Sequence, residues 1–66
     1  MSSSKKRTFL VEKRKKRRLS QGSIASYLGI SRTYYTNIEN GDRNPSLEVA
    51  LKIADFFGID VKQLRG

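Results

Sequence analysis

The sequence predicts an all-α protein, a compact bundle of five short helices in a single domain. Through most of the chain, apolar residues recur every three or four positions, which is the spacing that buries one face of a helix. Serines and glycines separate these segments at the intervals expected for helix N-caps and C-caps. The chain has no Cys for disulfides and no Cys or His for a structural zinc site. We therefore expect helix packing alone to hold the fold, with no metal and no cofactor.

The first helix is predicted to begin near Lys6 and to end near Arg17. A flexible basic N-terminal tail is assigned to residues 1–8 together with the start of this helix, and the folded domain to residues 9–64. The apolar face of the helix is thin, because Phe9 and Leu10 point one way and the next turn offers only Lys13 and Arg14. The aliphatic stems of Lys and Arg side chains must therefore take part in its packing.

The second helix is predicted from about Gln21 to Leu28, with Ser20 as its N-cap. Gly29 ends it, since only Gly enters the left-handed C′ conformation without a Cβ penalty. The positions that fall on its buried face are Ile24, Ala25 and Leu28.

The third helix is predicted to begin after an N-cap at Ser31, to run to about Asn40 and to stop at Gly41. Its inward positions are Tyr35 and Ile38. Its outward positions carry forked or hydroxylic side chains rather than the Glu and Lys pairs of a merely solvated helix. These outward residues are Arg32, Thr33, Thr36 and Asn37.

A turn at residues 41–45 precedes the fourth helix, which Ser46 caps and Gly58 ends. The buried stripe predicted for this helix consists of Leu47, Ala50, Leu51, Ala54 and Phe57. Asp60 and Gln63 resemble a capping box. They predict a short fifth helix, whose apolar residues are Val61 and Leu64.

The second and third helices, joined by a tight turn that contains Gly29, form a helix-turn-helix over residues 20–40. An α-helix fits the major groove of DNA. There Arg can bridge guanine O6 and N7, Asn can bridge adenine N6 and N7, and Thr can offer a methyl group to thymine. The sequence therefore predicts specific binding of double-stranded DNA, with base contacts from Arg32, Thr33, Thr36 and Asn37.

The net charge of +8 is concentrated at the N-terminus. Residues 1–18 carry nine Lys and Arg against one Glu, whereas residues 19–66 carry five basic and five acidic groups. Such a basic run either contacts nucleic acid or is a solvated helix face, and the charge alone does not decide between them. Non-specific RNA binding by this run is disfavoured, because the chain lacks the aromatic platform on which single-stranded bases stack.

Several segments carry a family resemblance: Leu19-Ser20-Gln21, Ala25, Leu28-Gly29-Ile30-Ser31-Arg32, Tyr34, Ile38-Glu39-Asn40-Gly41 and Arg43-Asn44-Pro45-Ser46-Leu47. From about Phe9 to Leu64 the chain resembles the phage Cro/repressor (Xre-like) family of five-helix DNA-binding domains. The stretches Arg32-Thr33-Tyr34 and Arg43-Asn44 are also similar to the controller proteins of restriction-modification systems. The resemblance implies a bacterial or phage-encoded transcriptional regulator, in the first instance a repressor, that acts in the cytoplasm on a near-palindromic operator.

The resemblance also implies roles for single residues. The DNA backbone would be contacted by Gln21, Ser31, Tyr34, Asn40, Arg43 and Asn44, with the helix dipole assisting Gln21. Arg14 and Glu39 would form a structural ion pair, and loss of one partner of such a buried pair costs roughly 3–5 kcal/mol. Tyr35 stands where the family usually has an aliphatic core residue, so its buried hydroxyl needs a partner.

Family members usually bind as twofold dimers, which suits a recognition helix that contacts only a few base pairs. Apolar residues beside the core stripe of the last two helices either form the dimer interface or cover the edge of a small core. The residues assigned to the interface are Val49, Phe56, Val61 and Leu64.

The alternative function is an antitoxin-like module, which would use the same fold mainly to bind a regulatory protein partner. No apolar run is long enough for a membrane span. No site for a small-molecule ligand is evident in the sequence. An enzyme is not expected, because the chain has no His, no Cys and no convergent carboxylate pair to serve as nucleophile or base.

Overall fold

The computed structural model describes residues 6–64 of the chain. Within that range the backbone forms α1 (Thr8–Lys16), α2 (Gln21–Leu28), α3 (Arg32–Asn40), α4 (Leu47–Phe57) and a 3-10 helix (Val61–Leu64). α2 packs against α3 and α4, α1 packs against α3, and the 3-10 helix packs against α4. The predicted all-α class is confirmed. None of these helices is long and apolar enough to cross a membrane.

Serine N-caps begin three of the helices. In each case the serine Oγ accepts a hydrogen bond from the backbone N–H three residues later, in the pairs Ser20 with Ser23, Ser31 with Tyr34, and Ser46 with Val49. α2 and α3 both end at a glycine in the left-handed region, Gly29 with φ 75° and Gly41 with φ 81°. These local caps set the short turn that joins α2 to α3.

The turn between α1 and α2 is held by Arg14 and Leu19. The Leu19 N–H donates to the Arg14 carbonyl over 3.2 Å, and Nη1 of Arg14 donates back to the Leu19 carbonyl over 2.9 Å. Arg18 lies in this turn with φ 58°, a left-handed conformation that glycine more often adopts. The turn therefore places the beginning of α2 against the end of α1.

The predicted short fifth helix is a 3-10 helix at Val61–Leu64 rather than an α-helix, so a count of five α-helices is not confirmed. Its i to i+3 pattern is seen in the Gln63 N–H, which donates to the Asp60 carbonyl over 2.9 Å. The predicted capping residues do interact, since the Asp60 N–H donates to Oε1 of Gln63 over 3.3 Å. They begin a segment of four residues, which gives one 3-10 turn rather than an α-helix.

Arg7 requires a correction to the predicted tail and first helix. α1 begins at Thr8 rather than at Lys6, and Arg7 is buried with 9% of its surface exposed. The Arg7 N–H donates to the Glu39 carbonyl over 2.7 Å, which ties the start of α1 to the end of α3. The flexible assignment is therefore wrong at this residue. Residues 1–5 of the predicted tail lie outside the described residues.

The predicted buried stripe of α4 is wrong at two positions. Leu47 and Leu51 are 57% and 50% exposed, whereas Val49 and Ile53 are buried. Apolar residues flank Ala50 on both sides around the circumference of α4. The sequence pattern therefore fits two rotations of the helix about its axis. Packing against α2 and the 3-10 helix selects the rotation that buries the two β-branched residues. The core consists of Leu10, Ile24, Ala25, Leu28, Tyr35, Ile38, Val49, Ala50, Ile53, Ala54, Phe57 and Leu64.

Two residues assigned to a dimer interface belong to this core. Val49 is 9% exposed and Leu64 is fully buried, so neither side chain is free to contact a second protein. Their assignment to the interface is wrong, because each fills the space between α4 and its neighbours within one chain. Phe56 and Val61 are half-buried and pack against the core from its edge.

Candidate nucleic-acid interface

The four side chains predicted to contact bases lie on one side of α3. Arg32 and Thr33 in its first turn are exposed, and Thr36 and Asn37 in the next turn are half-buried. Residues four apart are neighbours on a helix surface, so Arg32 adjoins Thr36 and Thr33 adjoins Asn37. α3 thus carries a polar surface two turns long on the side away from the core.

An open groove adjoins this surface. It is lined by Ser31, Thr33, Tyr34, Asn37 and Arg43. The lining joins the N-cap of α3 to the loop between α3 and α4. The structure therefore brings residues predicted to contact bases together with residues predicted to contact the DNA backbone.

Tyr34 connects α3 to the start of α4. Its hydroxyl oxygen accepts a hydrogen bond from the Ser46 N–H over 3.0 Å, and its side chain is half-buried. The hydroxyl hydrogen is not used in this bond. Tyr34 therefore has a structural contact and still retains a donor at the edge of the groove.

A continuous series of hydrogen bonds, called here the polar chain, runs from α1 to the outward face of α3 through Arg14, Glu39, Gln21 and Thr36. Nε of Arg14 donates to Oε2 of Glu39 over 2.7 Å, so the structure contains the ion pair that the resemblance implies. Nε2 of Gln21 donates to Oε1 of Glu39 over 3.0 Å. Oγ1 of Thr36 donates to Oε1 of Gln21 over 3.0 Å.

Glu39 is held in its ionised form by this network. Burial acts to raise the pKa of the carboxyl, but the hydrogen bonds from Arg14 and Gln21 outweigh it, and the pKa is lowered. The hydrogen bond to Glu39 likewise raises the pKa of Arg14. The Glu39 side chain is 2% exposed, so its charge depends on these partners rather than on water.

Tyr35 occupies the core beside this pair, as predicted from its position. It is fully buried, and its hydroxyl has no hydrogen-bond partner within residues 6–64. Burial first, and then the neighbouring Glu39 carboxylate, raise the pKa of Tyr35 above its ordinary range. The phenol therefore stays neutral.

Sequence reasoning missed Arg7. Its guanidinium donates to four oxygens: the Ile38 carbonyl at 2.7 Å, the Arg43 carbonyl at 3.3 Å, Oδ1 of Asn44 at 2.7 Å and the Leu64 carbonyl at 3.2 Å. Desolvation by burial lowers its pKa. A signal was present, since Arg7 precedes Leu10 by three residues and Arg14 by seven, which places all three on one helix face.

The last residue of α3 and the loop between α3 and α4 carry the remaining residues predicted to contact the DNA backbone. Asn40, Arg43 and Asn44 are all exposed. Arg7 holds this loop through the Asn44 side chain and the Arg43 carbonyl. The bond to Arg7 uses only Oδ1 of Asn44. The N–H groups of the Asn44 side chain therefore remain available as donors, and the bond to Arg7 holds them in position.

The basic run at the end of α1 is not uniformly solvated. The Arg17 guanidinium lies over the ring of Phe56 at 4.7 Å and near the ring of Phe57 at 5.4 Å. Phe56 also contacts Tyr27, with ring centroids 4.8 Å apart. Phe56 thus belongs to an aromatic cluster capped by a cation. Lys15, Lys16 and Arg18 are exposed.

Comparison with known proteins agrees with this geometry. Residues 10–64 match the helix-turn-helix family. The match covers most of the chain, and the protein belongs to the Cro/repressor-type (Xre-like) helix-turn-helix family. This family is one of DNA-binding regulators.

Similar proteins are found in a phage and in archaea. The chain is 39% identical over 57 residues to the ImmF control region 10 kDa protein of Bacillus phage phi105. The aligned region covers 86% of this chain and 63% of that protein. The chain is 43% identical over 53 residues to HTH-type transcriptional regulatory proteins of Saccharolobus islandicus and Saccharolobus solfataricus, which covers 80% of this chain. That region is 17% of the length of the archaeal proteins. No solved structure matches the chain significantly.

Proposed function

We propose that the protein is a sequence-specific regulator of transcription that inserts α3 into the major groove of a near-palindromic operator and acts as a repressor. The observation that carries this proposal is the polar surface of α3, whose opposite side buries Tyr35 and Ile38 in the core. In a helix-turn-helix the second helix of the motif is the one that enters the groove. The burial of Tyr35 and Ile38 supports an arrangement in which the opposite side of α3 faces the DNA.

The chemistry of this surface suits base edges. Arg32 is exposed in the first turn of α3, where a guanidinium can bridge guanine O6 and N7. Asn37 can bridge adenine N6 and N7. Thr33 and Thr36 can place methyl groups against thymine. Each bidentate contact discriminates against the wrong base by about 1–3 kcal/mol. Arg32 and Asn37 would supply two such contacts in each half-site.

Side chains around the edge of this surface would hold the DNA backbone. The proposed contacts come from Gln21, Ser31, Tyr34, Asn40, Arg43 and Asn44. Four of them, Gln21, Ser31, Tyr34 and Asn44, already make side-chain hydrogen bonds within the protein. Gln21 and Asn44 each keep an amide N–H, and Tyr34 keeps its hydroxyl hydrogen, so a donor remains for phosphate.

Repression follows from occupancy alone, because a protein bound over an operator excludes other proteins from the same DNA. This mechanism requires no second domain. The name of the phage relative, which refers to a control region, supports a regulatory role. The proposed site of action is the cytoplasm of a cell without a nucleus, where the chromosome and phage DNA lie.

We propose that the protein acts as a homodimer and that a second copy binds the exposed side of α4 at Leu47 and Leu51. A residue four positions later lies on the same side of a helix, so the two leucines form one apolar patch. Phe56 lies nine residues after Leu47, or two and a half turns, which places it on the opposite side of α4. It is already covered by Tyr27 and Arg17. It is therefore omitted from the interface. Val61 is retained as a candidate at its edge.

Selection of bound duplexes from a random-sequence DNA pool tests the proposal. Near-physiological salt is needed so that attraction to phosphates alone does not hold the complex. We expect the wild type to enrich a twofold-symmetric site. Arg32→Ala should lose base preference at one position of each half-site. Lys52→Ala, an exposed change on α4, should keep the base preference at every position. Absence of enrichment would reject sequence-specific binding by the protein alone and would favour the antitoxin-like alternative.

A further inference from the structure

The polar chain links a buried ion pair to a residue on the DNA-facing side of α3. Its members come from three helices: Arg14 from α1, Gln21 from α2, and Glu39 and Thr36 from α3. Every link is 3.0 Å or shorter along the path from Arg14 Nε to Thr36 Oγ1. Gln21 stands in the middle, and both ends of its side-chain amide are occupied.

The direction of each hydrogen bond in the polar chain is dictated by chemistry. The ionised carboxylate of Glu39 can only accept, so Gln21 must turn its NH₂ group toward Glu39. The carbonyl oxygen of Gln21 then faces Thr36, and a carbonyl can also only accept. The single hydrogen of the Thr36 hydroxyl must therefore be donated to Gln21. The reverse orientation of Gln21 would place two acceptor oxygens against each other.

We propose that Gln21 is a specificity-determining residue that acts through Thr36: by holding the only hydroxyl hydrogen of Thr36, it leaves that side chain able to offer DNA a methyl group and acceptor lone pairs, but no donor. This inference rests on the proposed contact between the outward face of α3 and base edges. It assigns Gln21 a role in base selection without any contact between Gln21 and a base.

The consequence for base preference follows from the groups in the major groove. A methyl group favours thymine, and an acceptor favours the amino groups of adenine and cytosine. Guanine presents only the acceptors N7 and O6, so it receives no hydrogen bond from Thr36 while Gln21 holds the hydrogen. Guanine should therefore be disfavoured on the contacted strand at the position beneath Thr36.

The same side chain can still contact phosphate. Nε2 of Gln21 carries two hydrogens, of which one is donated to Glu39. Loss of Gln21 is thus expected to have two separable effects. The lost phosphate contact weakens binding to every sequence alike, whereas the released Thr36 hydroxyl changes the ranking of bases at one position.

The first experiment measures base ranking by duplex selection for the wild type, Gln21→Met, Thr36→Val and the double variant. Met matches Gln in length and helix propensity but cannot form the polar chain. The position contacted by Thr36 is the one whose ranking changes in Thr36→Val. We expect Gln21→Met to raise guanine at that position by about 2- to 10-fold relative to wild type, the value of one net hydrogen bond. Ser26→Ala, an exposed change on the same helix, should leave the ranking unchanged.

The double variant separates this inference from a general disturbance. If the effect passes through the Thr36 hydroxyl, Gln21→Met should not change the ranking further when Thr36→Val is present. An unchanged ranking in Gln21→Met, or the same shift in both backgrounds, would overturn the inference while the specific binding of DNA stands. Failure of the wild type to enrich any sequence would instead reject the proposed function.

A second measurement tests the direction of the polar chain without DNA and without a variant. In the NMR spectrum of the wild type, the side-chain amide protons of Gln21 should show their close contacts to Glu39. Contacts of those protons to the Thr36 side chain in place of Glu39 would show that Gln21 is turned the other way. That result would overturn the inference whatever the outcome of the selection.

Discussion

Arg7 and Asn44 are joined by a hydrogen bond of 2.7 Å between Nη2 and Oδ1, although they are 37 residues apart in sequence. The same guanidinium reaches the carbonyls of Ile38 and Leu64. It therefore connects the start of α1 with the end of α3, the loop after α3 and the 3-10 helix. All of these acceptors are neutral oxygens, so the guanidinium acts through its geometry rather than as part of an ion pair.

Replacement of Arg7 should destabilise the fold. We expect Arg7→Met to lower the free energy of unfolding by about 3 kcal/mol, because several buried acceptors lose a charged donor at once. Urea denaturation at neutral pH measures this loss. Lys15→Ala is the matched control, since Lys15 is exposed and its removal should change stability by less than about 0.5 kcal/mol. Equal losses in the two variants would show that Arg7 is not the link described.

The stability of the protein should decrease in acid through Glu39. Because the pKa of Glu39 is lower in the folded protein than its ordinary value of 4.5, the carboxylate stabilises the fold above that value, and the contribution is lost as the pH falls through the folded-state pKa. We expect the free energy of unfolding of the wild type to drop more than that of Glu39→Gln as the pH falls below 4.5. Parallel pH profiles for the two proteins would contradict this assignment.

The boundaries of α2 and α3 could be predicted from the sequence because their signals are local. Ser20 and Ser31 accept hydrogen bonds from residues three positions away, and Gly29 and Gly41 take up their left-handed conformations at the helix ends. The outward face of α3 follows from the same periodicity. An arrangement determined within one turn of the chain can be recognised from a short stretch of sequence.

The features that could not be predicted depend on distant partners. The contacts of Arg7 lie 31 to 57 residues away, so its place on the helix face of Leu10 indicates burial but does not show which groups it contacts. The rotation of α4 depends on packing by α2 and the 3-10 helix, since Leu51 and Ile53 are both apolar. The bond between Gln21 and Thr36 likewise requires the two helices to be placed first.

Tyr35 should tolerate loss of its hydroxyl. The hydroxyl is buried without a hydrogen-bond partner in the described part of the chain, so we expect Tyr35→Phe to raise the free energy of unfolding by about 1 kcal/mol. Because burial raises the pKa of Tyr35 in the folded protein, the unfolded chain ionises first, and the free energy of unfolding of the wild type should fall as the pH rises above the ordinary value of 10.0. This alkaline fall should be smaller in Tyr35→Phe. Thermal denaturation at neutral and alkaline pH tests both effects. A large loss of stability at neutral pH would show that the hydroxyl has a partner.

Leu51→Lys should separate dimer formation from folding. Half of the Leu51 surface is exposed in the single chain, so the change should alter the free energy of unfolding of the monomer by less than about 0.5 kcal/mol. Two lysines facing each other across a twofold axis should prevent the second copy from binding. Analytical ultracentrifugation is expected to show a dimer for wild type and a monomer for the variant. Glu12→Lys, an exposed change on α1, provides a control for charge away from this patch. Unchanged dimerisation of Leu51→Lys would place the interface elsewhere.

Base preference and stability should respond independently at the DNA-facing surface of α3. Arg32 is exposed and Asn37 is half-buried, and neither belongs to the core, so Arg32→Ala and Asn37→Ala should leave the unfolding transition almost unchanged. Each should relax preference at one position of the half-site by about 1–3 kcal/mol, because a bidentate contact to one base is removed. Competition binding against duplexes with single base changes measures this effect. A uniform loss of affinity across all duplexes would mean that these side chains contact phosphates, since the backbone has the same charge whatever the sequence.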